Sequence, residues 1–207
     1  MKKIIHLILI LISNFVFSQC NNIIDLYTAC TSISVDYAIN GNYYKDLGNN
    51  LNPFEGDYLY VNGNNSLRFV LQKKMSTEHH GTDTYCEDMI VGGYKLVTNN
   101  VVILDGLNNV NFNYTNGSSH LINSGYITTG NSHGYDDRDE NEKWLVCTID
   151  DPNGAYYANL HMRKIIHNGQ EALKIRIFSS GIVAKEENSP PKPERLLPWG
   201  EFILIKQ

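Results

Sequence analysis

Short runs in which every second residue is apolar, separated by Asn-Gly and Asn-Asn pairs, recur along most of this 207-residue chain. Such alternation puts one set of side chains on each face of an extended strand. Asparagine and glycine between the runs tolerate the positive φ of tight hairpin turns. The clearest example lies near the C-terminal end. A run over 143–149, the turn Asp151-Pro152-Asn153-Gly154, a run over 155–165, the pair Asn168-Gly169 and a run over 171–178 predict a three-stranded meander. In its last strand Leu173, Ile175 and Ile177 alternate with Lys174 and Arg176, so one face is buried and the other wet.

The same period predicts a hairpin over 57–62 and 66–73 that turns at Asn62-Gly63, with Leu67, Phe69 and Leu71 sharing a face. A second hairpin is expected over 88–97 and 101–105 around Asn99-Asn100. Gly92-Gly93 inside its first strand marks a bulge or a sharp bend. Weaker strands are expected at 110–114 and 121–128. A last one, at 201–205, follows a stretch with Pro190, Pro191, Pro193 and Pro198 that crosses outside the sheet. Roughly nine or ten short strands joined by hairpins define an all-β chain, an antiparallel up-and-down meander. A closed barrel is the expected architecture, because closure removes exposed edges, and a sandwich is the alternative.

The first 18 residues obey a different rule. Lys2 and Lys3 precede an apolar run from Ile4 to Ile12, and Ser18 supplies a small residue at the expected cleavage point, before Gln19. That is a secretory signal pattern, too short for a membrane span, which needs about 20 apolar residues. The expected organisation is therefore a signal peptide at 1–18, an N-terminal extension at 19–50 and a β-barrel-like domain at 51–207. Secretion or periplasmic residence follows. A lipid anchor on Cys20 is the rival, with Gln19 standing where that signal wants a small residue. Removing 1–18 deletes two lysines and no acid, taking the formal net charge from −5 to −7. An acidic chain of this kind offers no basic face to nucleic acid.

Four cysteines, Cys20, Cys30, Cys86 and Cys147, in an exported chain favour disulfides. Of the three connectivities, the pairing Cys20–Cys30 with Cys86–Cys147 is the one taken as the expectation. No C-x-x-C or H-x-x-H spacing points to a metal. His79 and His80 are adjacent and would face opposite sides of a strand, and His120, His133, His161 and His167 are scattered. The acidic run Asp136-Asp137-Arg138-Asp139-Glu140-Asn141-Glu142 resembles a calcium loop at first sight. Aligning Asp137, Asp139 and Asn141 with the first ligands, however, places Glu142 at the required glycine and Thr148 at the closing bidentate acid. A solvated loop is the competing reading. No P-loop is present, and no cofactor, metal or enzymatic activity is expected.

The residues from Asn52-Pro53-Phe54-Glu55-Gly56-Asp57-Tyr58 through Ser66-Leu67-Arg68-Phe69-Val70-Leu71, then Tyr85-Cys86-Glu87-Asp88 and Phe202-Ile203-Leu204-Ile205-Lys206-Gln207, resemble an uncharacterised family of small exported proteins from flavobacteria and their relatives. More distantly, Phe54-Glu55-Gly56-Asp57-Tyr58 is similar to the lipocalin opening Phe-x-Gly-x-Trp, with Tyr in place of Trp. The likeness implies a lipocalin-like barrel. Tyr58, Tyr60, Phe69, Tyr94, Trp144 and Tyr156 are the candidate lining of a ligand pocket, against the alternative that they pack the core with their hydroxyls at its rim. Two partners are consistent with this sequence: a small apolar ligand or lipid inside the barrel, or a protein of the bacterial cell envelope bound by a structural or interaction module.

Overall fold

A computed structural model of the chain describes residues 20–31, 37–129, 141–153, 157–179 and 194–207. The signal segment, His133, most of the acidic run, Tyr156 and three of the four late prolines lie outside the described residues. The elements in order are β1 (Asn22–Asp25), α1 (Leu26–Thr31), β2 (Asn42–Lys45), β3 (Gly56–Asn62), β4 (Asn65–His80) and β5 (Asp83–Thr98). They continue with β6 (Val101–Asp105), β7 (Ile122–Thr129), β8 (Lys143–Asp150), β9 (Tyr157–His167), β10 (Gln170–Ser179) and β11 (Gly200–Lys206). Strands β3, β4, β5, β7, β8, β9, β10 and β11 close into an eight-stranded antiparallel barrel. Each pairs with the next of the eight along the chain, and β11 returns to β3. The expected up-and-down, lipocalin-like barrel is the observed fold, and the sandwich is not.

The turn residues act as anticipated in kind. Asn99 and Asn100 both take positive φ between Thr98 and Val101, as do Asn168 and Gly169 between His167 and Gln170. At the first hairpin the central pair is Gly63-Asn64, one residue later than expected, because Asn62 still pairs with Asn65. Two of these hairpin tips lie side by side: the Asn100 amide donates to the Asn64 carbonyl at 2.9 Å, and the Asn99 amide to Asn65 Oδ1 at 2.9 Å.

Two expectations change. The β4–β5 ladder runs in register straight through Gly92 and Gly93, so the glycines mark no bulge there; the shift in β5 comes between Leu96 and Val97, against β6. Gly93 instead permits a close approach. A Cβ at this position would lie 2.1 Å from the Gly106 carbonyl oxygen and 2.8 Å from that of Leu107. The segment expected as a strand at 110–114 accordingly starts in a tight 3-10 turn, Leu107–Asn111, pressed onto the outer face of β4 and β5. Val110 is buried there, whereas Phe112 and Tyr114 are exposed.

The barrel interior is packed side chains. Leu67, Phe69 and Leu71 of β4 meet Tyr94 and Leu96 of β5, Leu145, Cys147 and Ile149 of β8, and Leu173, Ile175 and Ile177 of β10. The N-terminal extension belongs to the same core. Leu26 and Ala29 of α1, Tyr44 of β2, and Leu51 and Phe54 before β3 join that cluster, and β2 pairs in parallel with β5.

A disulfide links Cys20 to Cys86, across a sequence separation of 66 residues, while Cys30 and Cys147 are free thiols. Neither expected pair forms. Cys147 lies two strands from β5, and the register Ile122↔Gly92 and Ser124↔Cys147 puts it opposite residue 90 of β5. Four residues at about 3.3 Å each leave it roughly 13 Å along the strand from Cys86, beyond the ~7 Å limit for bridging. The Cys20–Cys86 bond also occupies the sulfur that a lipid anchor on Cys20 would need. Burial pushes the Cys30 thiol up to about 11 and the Cys147 thiol well above its ordinary value.

Beside the disulfide, Glu87 is buried under the extension, hydrogen-bonded to Tyr37 and near Tyr85. Tyr37, Tyr44 and Tyr85 contact one another, with Tyr37 and Tyr44 stacked at 4.5 Å. Burial raises the Glu87 carboxyl from 4.5 to about 8. The folded chain therefore holds this proton more tightly than the unfolded chain. The resulting stabilisation is complete below about pH 4.5 and fades as pH rises through about 8. Urea melts across that window should lose on the order of 4 kcal/mol from this group, and Glu87→Gln should flatten that limb of the profile. Cys86→Ser should lower the unfolding free energy by roughly 4 kcal/mol by opening the 66-residue loop, with Cys147→Ser leaving the disulfide intact on mass analysis.

Candidate functional site

Strand β3 meets β11 through a short ladder. Tyr58 and Leu59 pair with Lys206 and Ile205, and the Gln207 amide donates to the Asp57 carbonyl at 2.8 Å. Beyond Leu59 the two strands part, at the end of the barrel that also carries the 62–65 and 98–101 turns. A cleft of about 300 Å³ opens there. Its apolar walls come from Tyr60 of β3, Leu67 of β4, Leu96 of β5, Phe202 of β11, and Leu196 and Pro198 just before β11. Tyr60 and Phe202 meet edge to face at 5.2 Å across the parted strands. Asn62, Asn65, Ser66 and Thr98 form the polar rim.

The residues before β11 are held in place by one buried acid. The Asp151 carboxylate accepts from the backbone amides of Leu196 at 3.0 Å, Leu197 at 2.8 Å and Asn153 at 3.0 Å. Asn153 returns a bond from Nδ2 to the Glu194 carbonyl at 2.6 Å. Leu197, 1 % exposed, is thereby fixed in the core while its neighbours Leu196 and Pro198 face the cleft. The Tyr94 hydroxyl donates to the Asp150 carbonyl, tying the adjacent turn to the barrel wall. Burial, then the nearby Asp151 and Asp150, push the Tyr94 phenol far up. On the chain's other side, Arg195 stacks over the exposed Trp199 ring at 3.9 Å.

The structure distributes the six candidate lining residues unevenly. Tyr60 is in the cleft. Phe69 and Tyr94 face each other in the packed interior at 6.3 Å. Tyr58 is fully buried toward the other end, donating to the Glu55 carbonyl at 3.1 Å, and burial pushes its phenol up to about 12. Trp144 alternates with the inward Leu145 and Cys147, so it sits on the outer face of the wall beneath Arg163 at 5.0 Å. Tyr156 lies outside the described residues. Leu67, Leu96, Leu196, Pro198 and Phe202 were not among the residues expected to line a pocket. Leu67 and Phe202 were findable, since each is in phase with an inward neighbour, Phe69 and Leu204. His79 and His80 end β4 at an exposed tip, with His79 Nδ1 3.0 Å from Thr84 Oγ1.

Asp151→Ala leaves the amides of Leu196 and Leu197 without their acceptor. The expected loss is about 1–3 kcal/mol, with hydrogen exchange accelerated at those two amides while the amides of β8 and β10 stay protected.

Comparison with curated proteins and with solved structures returned no match for either. The chain as a whole, residues 1–207, matches the model of a family of unknown function, DUF6705, and it belongs to that family.

Proposed function

We propose that this protein is an exported, non-enzymatic barrel that binds a small apolar ligand or lipid chain in the cleft between the parted ends of β3 and β11. The observation that carries the reading is the cleft itself, about 300 Å³, walled by Tyr60, Leu67, Leu96, Leu196, Pro198 and Phe202. That volume is at the lower end of ligand pockets, which run from about 300 to 1,000 Å³ with mostly apolar walls and a few polar groups. Its lining includes no carboxylate, imidazole or amine among the described residues, which suits retention rather than acid–base chemistry. The packed interior directs the ligand to the barrel's end rather than its centre. Export is supported by the signal pattern and by the Cys20–Cys86 disulfide, a bond at home in an oxidising compartment. Among the described residues no helix is long and apolar enough to cross a membrane.

A second reading, an interaction module at the cell envelope, draws on the outside of the same seam. Leu59, Val61, Ile203 and Ile205 line an open groove there, and Val61 is 61 % exposed. The two readings separate in one experiment. Displacement of a fluorescent fatty acid from the folded protein should weaken at least about tenfold in Tyr60→Ala and Phe202→Ala, with Val61→Ser and Trp144→Phe unchanged. Native mass spectra showing only the unliganded mass, with no displacement signal, would overturn the ligand reading. Loss of an envelope partner in Val61→Ser alone would favour the second.

A further inference from the structure

The chain between β6 and β7 lies over the outer face of β4 and β5, held close by the missing side chain of Gly93. A pocket of about 190 Å³ opens between this loop and the sheet, away from the barrel cleft. Lys74 and Ser76 of β4, Val91 of β5, and Asn113, Tyr114 and His120 of the loop are among its walls. His120 is only 2 % exposed. Its Nδ1 lies 3.0 Å from the Asn109 carbonyl oxygen and 3.3 Å from Asn109 Oδ1. Both are acceptors, so Nδ1 carries the proton and Nε2 is an unprotonated acceptor. Among the described residues no group donates to it. Burial, and then the Lys74 ammonium, hold the imidazole below its ordinary pKa and therefore neutral.

The other polar groups of the pocket are donors or mixed. Lys74 Nζ spends one hydrogen on the Phe112 carbonyl at 2.9 Å and has two more. The Tyr114 hydroxyl accepts from Asn109 Nδ2 at 3.2 Å, which leaves its own proton to donate elsewhere. Asn113 presents both an acceptor and a donor at the surface. At the rim, the rings of Phe112 and Tyr114 are 55 % and 40 % exposed and lie 5.8 Å apart. Exposed aromatic faces beside an imidazole acceptor that no described residue meets are an unusual use of a surface.

These demands narrow the ligand. A carboxylate or phosphate only accepts hydrogen bonds and so offers Nε2 no donor. An ammonium would meet Nε2 but face the Lys74 charge. An apolar group satisfies neither. A hydroxyl both donates and accepts, and two adjacent hydroxyls serve an imidazole acceptor and an ammonium donor together. We propose that this pocket binds one sugar ring of a glycan, with one hydroxyl donating to His120 Nε2, its neighbour accepting from Lys74, and the ring's C–H face on Tyr114. The pocket is smaller than the ~300 Å³ of ordinary ligand sites, so it takes a single ring while the rest of the glycan extends over Phe112.

The test uses the full exported chain and four probes: methyl glucoside, methyl galactoside, methyl mannoside and N-acetylglucosamine. The imidazole Hε1 resonance of His120 is followed by NMR. At least one probe should move it saturably, with a dissociation constant around the millimolar range. The exposed-site variants Tyr114→Ala and Asn113→Ala, and Lys74→Met, should each weaken that binding at least about tenfold, with circular dichroism spectra unchanged. Tyr60→Ala should bind the sugar as the parent does, since the barrel cleft plays no part. The proposal is overturned if none of the sugars moves the resonance, if acetate moves it in their place, or if Tyr114→Ala binds like the parent.

Discussion

Strand β5 is hydrogen-bonded along both edges, and the remaining architecture hangs from it. On one side β4 pairs with it continuously from Ser66↔Val97 to His80↔Asp83. The other side is shared in turn by β2 at Cys86 and Glu87, β7 at Val91 and Gly92, and β6 from Lys95 onward. One strand thus closes the barrel, anchors the N-terminal extension and carries the disulfide. The composition fits this position: residues 86–94 are all buried, with paired glycines where neighbouring backbone comes closest. Without side chains at Gly92 and Gly93, Leu71 and Ile122 pack from one direction and the Gly106-Leu107 backbone from the other.

Much of the barrel could be read from period-two alternation, because a strand with one wet face reveals its phase. The meander of β8, β9 and β10 and the β3–β4 hairpin, though not the exact position of its turn, are of this kind. Alternation fails where both faces are covered or neither is. Residues 74–85 are mostly polar and mark no inner face, yet Lys74 and Ser76 are covered by a loop, and so β4 and β5 run further than their pattern shows. Val110, Phe112 and Tyr114 alternate like a strand, but the turn at Leu107–Asn111 buries the first and exposes the other two. Cysteine pairing was not legible, since it depends on strand adjacency and register rather than on spacing. The site was partly visible. Tyr60 carries an aromatic signal, whereas Asp151 acts through backbone amides 45 and 46 residues away, which leave no mark in sequence.

The two candidate sites use opposite physics on one scaffold. At the barrel's end, strands part and water-averse walls are left facing a gap, so binding there would be governed by area removed from water. On the outer wall, the His120 imidazole has no donor among the described residues, so binding there would rest on hydrogen-bond matching and discriminate by chemistry rather than size. Both lie along β4, one at either face, so the β4–β5 hairpin positions each without requiring them to communicate.

The short seam between β3 and β11 also fixes an order of events in time. β3 forms its hairpin with β4 locally, but its second partner is the last described strand, so its other edge stays bare while the intervening wall assembles. Long-range pairing of this sort is slow, and an unpaired edge invites the wrong neighbour. If the chain is exported as proposed, it would gain from such lateness while crossing a membrane unfolded, because the barrel cannot lock before β11 has arrived.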